Sequence, residues 1–213
     1  MLSKSEIEAN KVKFIEILKA ALINRPGVRL ENLIQALSSS DFFIAPASCK
    51  YHANYEGGLC AHSLNVYNNL MNILEMENDT TIDRESATIV ALLHDISKMN
   101  YYEPYYQNKK VYSENGSKYD ELGKYDWKSV LAYKHKDSDK QFIYGNHEMN
   151  AEFIAHCYIP LTVEESVAIL HHMGGKSQDS AQDNLSEIYK KYPLALYLHL
   201  ADMIATFVDE NKY

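Results

Sequence analysis

The residues in this sequence able to do chemistry are histidines and carboxylates set inside apolar stretches. Ala91-Leu92-Leu93-His94-Asp95-Ile96-Ser97-Lys98 puts an imidazole and a carboxylate side by side after an apolar run. On a helix, Lys98 falls three residues after Asp95 and four after His94, on a shared face. Burying a His–Asp pair beside a lysine is costly unless the charges are satisfied. Two arrangements do this: the pair hydrogen-bonds to itself, or it holds a divalent cation. Asp202 raises the same question, because it lies in the apolar stretch Leu194 to Val208 with no cation close in sequence. His62, soon after Gly57-Gly58, sits at the edge of an apolar face and suits either a core or capping histidine or a ligand. Imidazole and carboxylate donors together suit Mn, Fe, Co, Ni or Zn, whereas an all-oxygen set suits Mg or Ca.

The elements that must position these groups read as helices. Residues 3 to 24 form an amphipathic helix, opened by a Ser3–Glu6 capping box and ended by Asn24-Arg25-Pro26-Gly27. A shorter helix follows, with Leu30, Leu33, Ile34 and Leu37 on one face. Residues 41 to 58 are a loop whose paired glycines permit a tight entry to the next helix, 59 to 77, which carries His62. The His-Asp helix is expected over 83 to 98. Residues 147 to 158 return to helix. A second capping box, Thr162–Glu165, starts a helix that runs to His171-His172 and stops at Gly174-Gly175. Residues 176 to 184 read as polar linker and Leu185 to Lys191 as a short helix. Pro193 opens the last helix, with Leu196, Leu200, Met203 and Phe207 at core spacing.

Residues 100 to 145 are the least regular part. They hold Tyr101, Tyr102, Tyr105, Tyr106, Tyr112, Tyr119, Tyr125, Tyr133 and Tyr144, together with Trp127 and eight of the 21 basic residues. Stacking rings interleaved with lysines suit a nucleobase-and-phosphate surface. The competing expectation is a solvated insertion with room for short strands, its tyrosines packed on the helical core.

The chain has 213 residues and is 46% hydrophobic, enough for one substantial folded domain. Cys49, Cys60 and Cys157 lack metal-type spacing, and their odd number fits free thiols in a reducing cytoplasm. No apolar run follows Met1, so no signal peptide is expected, and His199 and Asp202 interrupt the late apolar stretch, which argues against a membrane-spanning helix. A formal net charge of -8 argues against tight duplex DNA binding. It leaves open a nucleotide or short single strand at a metal centre. The oligomeric state is not indicated.

The order His62, His94-Asp95, His147, His172, Asp202 across helical sequence resembles the HD-domain superfamily of metal-dependent phosphohydrolases, over about 42 to 209. Phe42-Phe43-Ile44-Ala45-Pro46-Ala47, His52 and Gly57-Gly58-Leu59 resemble the HD domain of bacterial 3′–5′ exoribonucleases. The segment from Trp127 to Gly175 is closer to stand-alone HD proteins of bacteria and phages. The resemblance implies an all-α HD helical bundle, residues 1–213 as a single domain. Residues 1–40 would be N-terminal packing helices, 42–209 the HD core and 100–145 an insertion. It further implies one or two divalent transition metal ions. His62, His94, Asp95 and Asp202 would hold the first, and His147 and His172 the second, with Asp95 bridging. Asp95, Lys98 and His52 would be catalytic, with Lys98, His52 and His171 contacting substrate. His52 otherwise reads as an ordinary loop histidine, and His199 as a packing residue or one that orients Asp202.

The implied activity is hydrolysis of phosphoester or phosphoanhydride bonds of nucleotides or short oligonucleotides by metal-activated water. Two departures from the family pattern stand out. Ser97 replaces a glycine, with little effect expected, and Asn146-His147-Glu148 replaces Gly-His-Gly-Glu. Two other functions share this residue order: a non-catalytic, metal-bound ligand-sensing module, and a di-iron oxygenase of the inositol oxygenase type.

Overall fold

The computed structural model describes residues 2–78, 80–113, 124–174 and 184–210. Among these, the chain is mostly helical with one two-stranded antiparallel sheet. Helix α1 (Lys4–Leu22) starts with the capping box: Ser3 N–H donates to Glu6 and Glu6 N–H to Ser3 Oγ. Its Phe14, Leu18 and Leu22 are buried, and Phe14 meets Phe42 and Phe43 edge-on at 5.2 and 5.7 Å. Helix α2 (Leu30–Ser39) buries Leu33 and Leu37. The N-terminal helices thus share one core with the rest of the chain.

Helix α3 (Gly58–Met76) lies at the centre, against α1, α4 (Arg84–Leu93) and α8 (Pro193–Ile204). Its entry explains the two glycines. Gly57 caps the helix in the left-handed region, at φ 81°. A Cβ on Gly58 would lie 2.0 Å from the Ala53 carbonyl oxygen. Helix α4 is capped by Asp83, and every residue from Ala87 to Leu93 is buried, as a central helix requires. Helix α6 (Val163–Leu170) packs on α4, α8 and α5 (His147–His156). Arg25 ties the layers together, donating to Glu85 in the first turn of α4 and to buried Glu165 on α6 at 2.6–2.9 Å.

Several elements differ from the sequence expectation. The helix expected over 83–98 stops at Leu93, and Ile96–Lys98 form a separate 3-10 turn. The insertion is a β-hairpin, β1 (Tyr102–Tyr112) paired with β2 (Tyr125–His135). These eleven-residue strands are longer than expected. Only its base is buried, at Tyr102, Ala132 and Tyr133, so most of its tyrosines do not pack on the helical core. Its cross-strand partners put Pro104, Tyr106, Tyr112, Tyr125, Trp127 and Leu131 on one face. Tyr119, and the linker expected over 176–184 apart from Asn184, lie outside the described residues.

The last helix also buries a different face. Leu194, Ala195, Leu198, Ala201 and Ala205 go inward, while Leu200 and Phe207 are exposed. After Ile204 the helix widens into a π turn, Ala205–Asp209. Helix α7 (Leu185–Lys191) and the proline at the start of α8 are as expected. No helix among the described residues is long and apolar enough to cross a membrane.

Candidate metal centre

The site begins with two helix C-termini. Successive side chains on an α-helix point about 100° apart, so His94 and Asp95 on one helix would diverge. The chain avoids this by leaving the helix between them: His94 caps α4 with helical angles, and Asp95 turns to φ -107°, ψ 14°. A helix end leaves carbonyls without partners. The His94 Nδ1–H meets one of them, the Ala91 oxygen, at 2.8 Å. Helix α6 ends in the same way. His171 caps it, and His172 in the following turn donates Nδ1–H to the Ile169 oxygen at 2.7 Å. In both rings the bond fixes the tautomer, so Nε2 carries the lone pair and faces inward.

His62, buried on α3, is held from the other end of the fold. Its Nδ1 lies 3.1 Å from both oxygens of Glu210, and Asn65 donates to the same carboxylate at 2.9 Å. Its Nε2 lies 3.2 Å from Asp202 Oδ1. His147 opens α5 behind the Asn146 cap, and its Nδ1 is 2.8 Å from Ser97 Oγ. All four Nε2 atoms converge on Asp95, and its two oxygens divide them. Oδ2 is 3.7 Å from both His62 and His94, whereas Oδ1 is 2.8 Å from His147 and 3.7 Å from His172.

The electrostatics of this cluster are unbalanced without a cation. The Nε2 atoms of His62 and His94 lie 3.3 Å apart, so two lone pairs oppose each other unless a proton or a metal intervenes. Asp95 Oδ1, His147 Nε2 and His172 Nε2 are buried without a protein partner in hydrogen-bonding geometry. Burial pushes His94 down to about 3. Burial also opposes charge on His62, but Asp202 and Glu210 outweigh it and raise that imidazole to about 10. Asp95 is buried too, yet Lys98 and the surrounding histidines hold it well below the usual carboxylate range. Lys98 Nζ sits 2.5 Å from Asp95 Oδ2, and this contact keeps the ammonium charged despite burial.

The donor set fits divalent metal. His62, His94 and Asp202 form one group whose donor atoms lie within 4.8 Å of one another, and His94, Asp95 and His172 form another. Donors at bond lengths of about 2.1 Å require separations of this order. His52, His62 and Glu210 have similar spacing, but there His62 and Glu210 already face each other as a hydrogen-bonded pair.

A cavity of about 410 Å³ opens over this cluster, with Asp95, Lys98, His147 and Asp202 among the residues lining it. His52 also lines it. Its ring lies 4.8 Å from that of His62, its Nε2 is buried without a hydrogen-bond partner, and burial lowers it to about 4. The cluster therefore gathers His52, His62, His94, Asp95, Lys98, His147, His172 and Asp202. His171, half-buried at the end of α6, is outside the cavity lining and both donor groups. His199 does not orient Asp202; its Nδ1–H donates to the His172 carbonyl at 2.6 Å.

The chain has a detectable relative. It is 33% identical over 94 residues to a dihydroneopterin 2′,3′-cyclic phosphate phosphodiesterase of Methanocaldococcus jannaschii. The matched segment covers 43% of this chain and 35% of the relative, so the chain spans about a third of that protein's length. No protein-family model matches the sequence and no solved structure matches the fold.

Sequence reasoning missed two supports of the cluster. Ser97 was expected to be neutral, yet it is the partner of His147 Nδ1. Glu210 gave no signal, because on a continuous α-helix it lies about 80° around from Asp202. The π turn, closed by Glu210 N–H to the Ala205 oxygen at 3.0 Å, rotates less per residue and lets both carboxylates reach His62.

Proposed function

We propose that this chain is a metal-dependent phosphohydrolase of the HD type, folded as one domain. It cleaves a phosphoester or phosphoanhydride bond of a nucleotide or short oligonucleotide with water. One observation carries the reading. Four imidazole nitrogens and two carboxylates converge beside a cavity lined by Asp95, His147 and Asp202, and three of the buried donor atoms have no protein partner in hydrogen-bonding geometry. The similarity to a cyclic-phosphate phosphodiesterase supports phosphoester chemistry.

In this reading His62, His94, Asp95 and Asp202 hold one divalent ion, and His147 and His172 hold a second. Asp95 serves both, and the division of its two oxygens between the two pairs of histidines supports that role. When bound, such ions supply a Lewis acid for the phosphoryl oxygens and a water made nucleophilic near neutral pH. Lys98, kept charged by Asp95, neutralises a non-bridging phosphoryl oxygen. His52 is neutral at pH 7, so it binds phosphate by a hydrogen bond and does not serve as the acid.

The test is turnover of bis-p-nitrophenyl phosphate and a nucleotide panel by protein loaded with manganese, zinc or iron. Release of p-nitrophenolate that is lost in Lys98→Met is the expected result. Tightly held iron with oxygen uptake, and no phosphoester turnover under any metal, would move the site to oxygenase chemistry.

A further inference from the structure

A second cavity, of about 420 Å³, lies between the base of the hairpin and the loop before α3. It shares no lining residue with the cavity over the metal cluster. Its hairpin wall is aromatic and apolar, made by Tyr102, Pro104 and Tyr106 of β1 and Leu131 and Tyr133 of β2. The register sets Pro104 opposite Tyr133 and Tyr106 opposite Leu131, so all five stand on one face of the sheet. Tyr102 and Tyr133 are buried. The Tyr102 hydroxyl donates to the Ala47 carbonyl at 3.3 Å, which anchors that ring.

Two carboxylates, Asp41 and Glu56, line the cavity from the loop, and no lysine or arginine is among the described residues that line it. Asp41 is held in place: one oxygen accepts the Asn100 N–H, and its own N–H donates to Asn100 Oδ1 at 3.3 Å. Burial raises its carboxyl above the ordinary range despite these bonds and the charge of Lys136. Neither Asp41 nor Glu56 forms an ion pair with a described residue. Tyr133 is 9% exposed, and its hydroxyl has no hydrogen-bond partner among the described residues. Burial raises that phenol, and the charge of Glu56 adds to the effect. The cavity thus combines aromatic faces, negative charge without a paired cation, and one buried polar group left for a ligand.

The faces of aromatic rings are negative and attract cations, most strongly where water is excluded. A quaternary ammonium suits such walls, since it carries charge without N–H groups that need partners. The same sheet face already holds a cation in this way further along, where Lys110 Nζ lies 4.1 Å from the centroid of Tyr125. No described cation lies over the rings of Tyr102, Tyr106 or Tyr133. Lys98 acts on Tyr102 from the metal side, but its charge is matched there by Asp95. We propose that this cavity binds a small quaternary ammonium compound, its methyl groups against Tyr102, Tyr106 and Tyr133 and its charge balanced by Asp41 and Glu56. The Tyr133 hydroxyl serves the polar end of the ligand. The site stands apart from the phosphohydrolase reading, because none of the proposed metal ligands lines it.

The experiment is calorimetric titration of the full chain with choline and, separately, with 3,3-dimethylbutan-1-ol. The two have the same shape and hydroxyl, and only choline is charged. Choline is expected to bind saturably with a Kd at or below about 1 mM, at least about tenfold tighter than the neutral alcohol. Tyr106→Leu removes an aromatic face and Glu56→Gln removes a charge. Both residues are exposed, so both variants are expected to fold. Each should weaken choline at least about fivefold, as loss of one cation–ring contact or one nearby charge implies. Asp95→Ala, which disrupts the metal cluster, should leave choline binding unchanged.

Equal affinity for choline and the alcohol would overturn the proposal and make this cavity an apolar cleft without charge selectivity. So would choline binding that survives in Tyr106→Leu and Glu56→Gln but is lost in Asp95→Ala, because that pattern places the cation at the other cavity. No saturable binding up to about 20 mM choline, well above the expected Kd, would overturn it as well. None of these outcomes bears on phosphoester turnover, so the two readings fail independently.

Discussion

On the proposed reading, metal and proton compete for one atom, His62 Nε2, and the competition can be measured. In metal-free protein His62 lies between Asp202 on Nε2 and Glu210 on Nδ1, which raise it to about 10. At pH 7 its Nε2 therefore carries a proton that must leave before a metal can bind there. A gap of three units corresponds to about 4 kcal/mol, or about a thousandfold in apparent affinity at pH 7. His172 is also raised, chiefly through Asp95 against the effect of burial. Burial pushes His94 down to about 3, so it is uncharged at pH 7, and burial lowers His147 as well. Metal binding at pH 7 should thus release about one proton per chain from His62. The sign follows directly: because proton occupancy falls as pH rises, affinity should strengthen, by about tenfold per pH unit between pH 6 and 9. Calorimetric titration with zinc or manganese, in two weakly coordinating buffers of different ionisation enthalpy, measures the protons. Glu210→Gln removes one of the two carboxylates and should reduce proton release at pH 7 and flatten the slope. No proton release in the wild type, or a flat affinity across this range, would refute the assignment of His62 as a ligand held by Glu210.

Two further perturbations separate support of the site from support of the fold. Ser97→Ala removes the partner of His147 Nδ1 and should weaken one of two metal equivalents by about 10- to 100-fold, leaving the other in place. Metal titration followed by dialysis reads this, and equal loss of both equivalents would contradict the division of ligands between the oxygens of Asp95. Gly58→Ala drives a Cβ to 2.0 Å from the Ala53 carbonyl and should cost about 3 kcal/mol in denaturant unfolding. A change within about 0.5 kcal/mol would show that the loop yields and that the close approach is not required.

The candidate ligands were legible because their chemistry contradicts their surroundings. His94, Asp95 and Asp202 are polar groups in apolar stretches, and the structure buries them together, as that conflict demands. Capping boxes at Ser3 and Thr162 and the paired glycines before α3 were legible because each answers a local backbone requirement. The ends of α4 and α6 were harder. Nothing in the apolar period marks Leu93 as the last helical residue, and the break matters because it turns Asp95 toward the point His94 faces. The hairpin read as irregular because only its base is buried, so little of either strand shows the alternation of a half-buried sheet. On α8 the buried stripe runs through Ala195, Ala201 and Ala205, small residues that weigh little beside Leu200 and Phe207 in a hydrophobicity pattern. Glu210 was invisible because its placement depends on a π turn, which the helical period does not anticipate.

Metal content is the most direct test of the proposed centre. Protein purified without added metal, analysed by elemental emission beside Asp95→Ala, should on the proposed reading contain about two transition metal ions per chain, one for each pair of histidines that Asp95 faces. The variant should contain less than one while keeping its helical circular dichroism. A folded wild-type protein with no bound metal, taking up none when manganese, zinc or iron is supplied, would contradict the central claim and make the histidine–aspartate cluster a structural network.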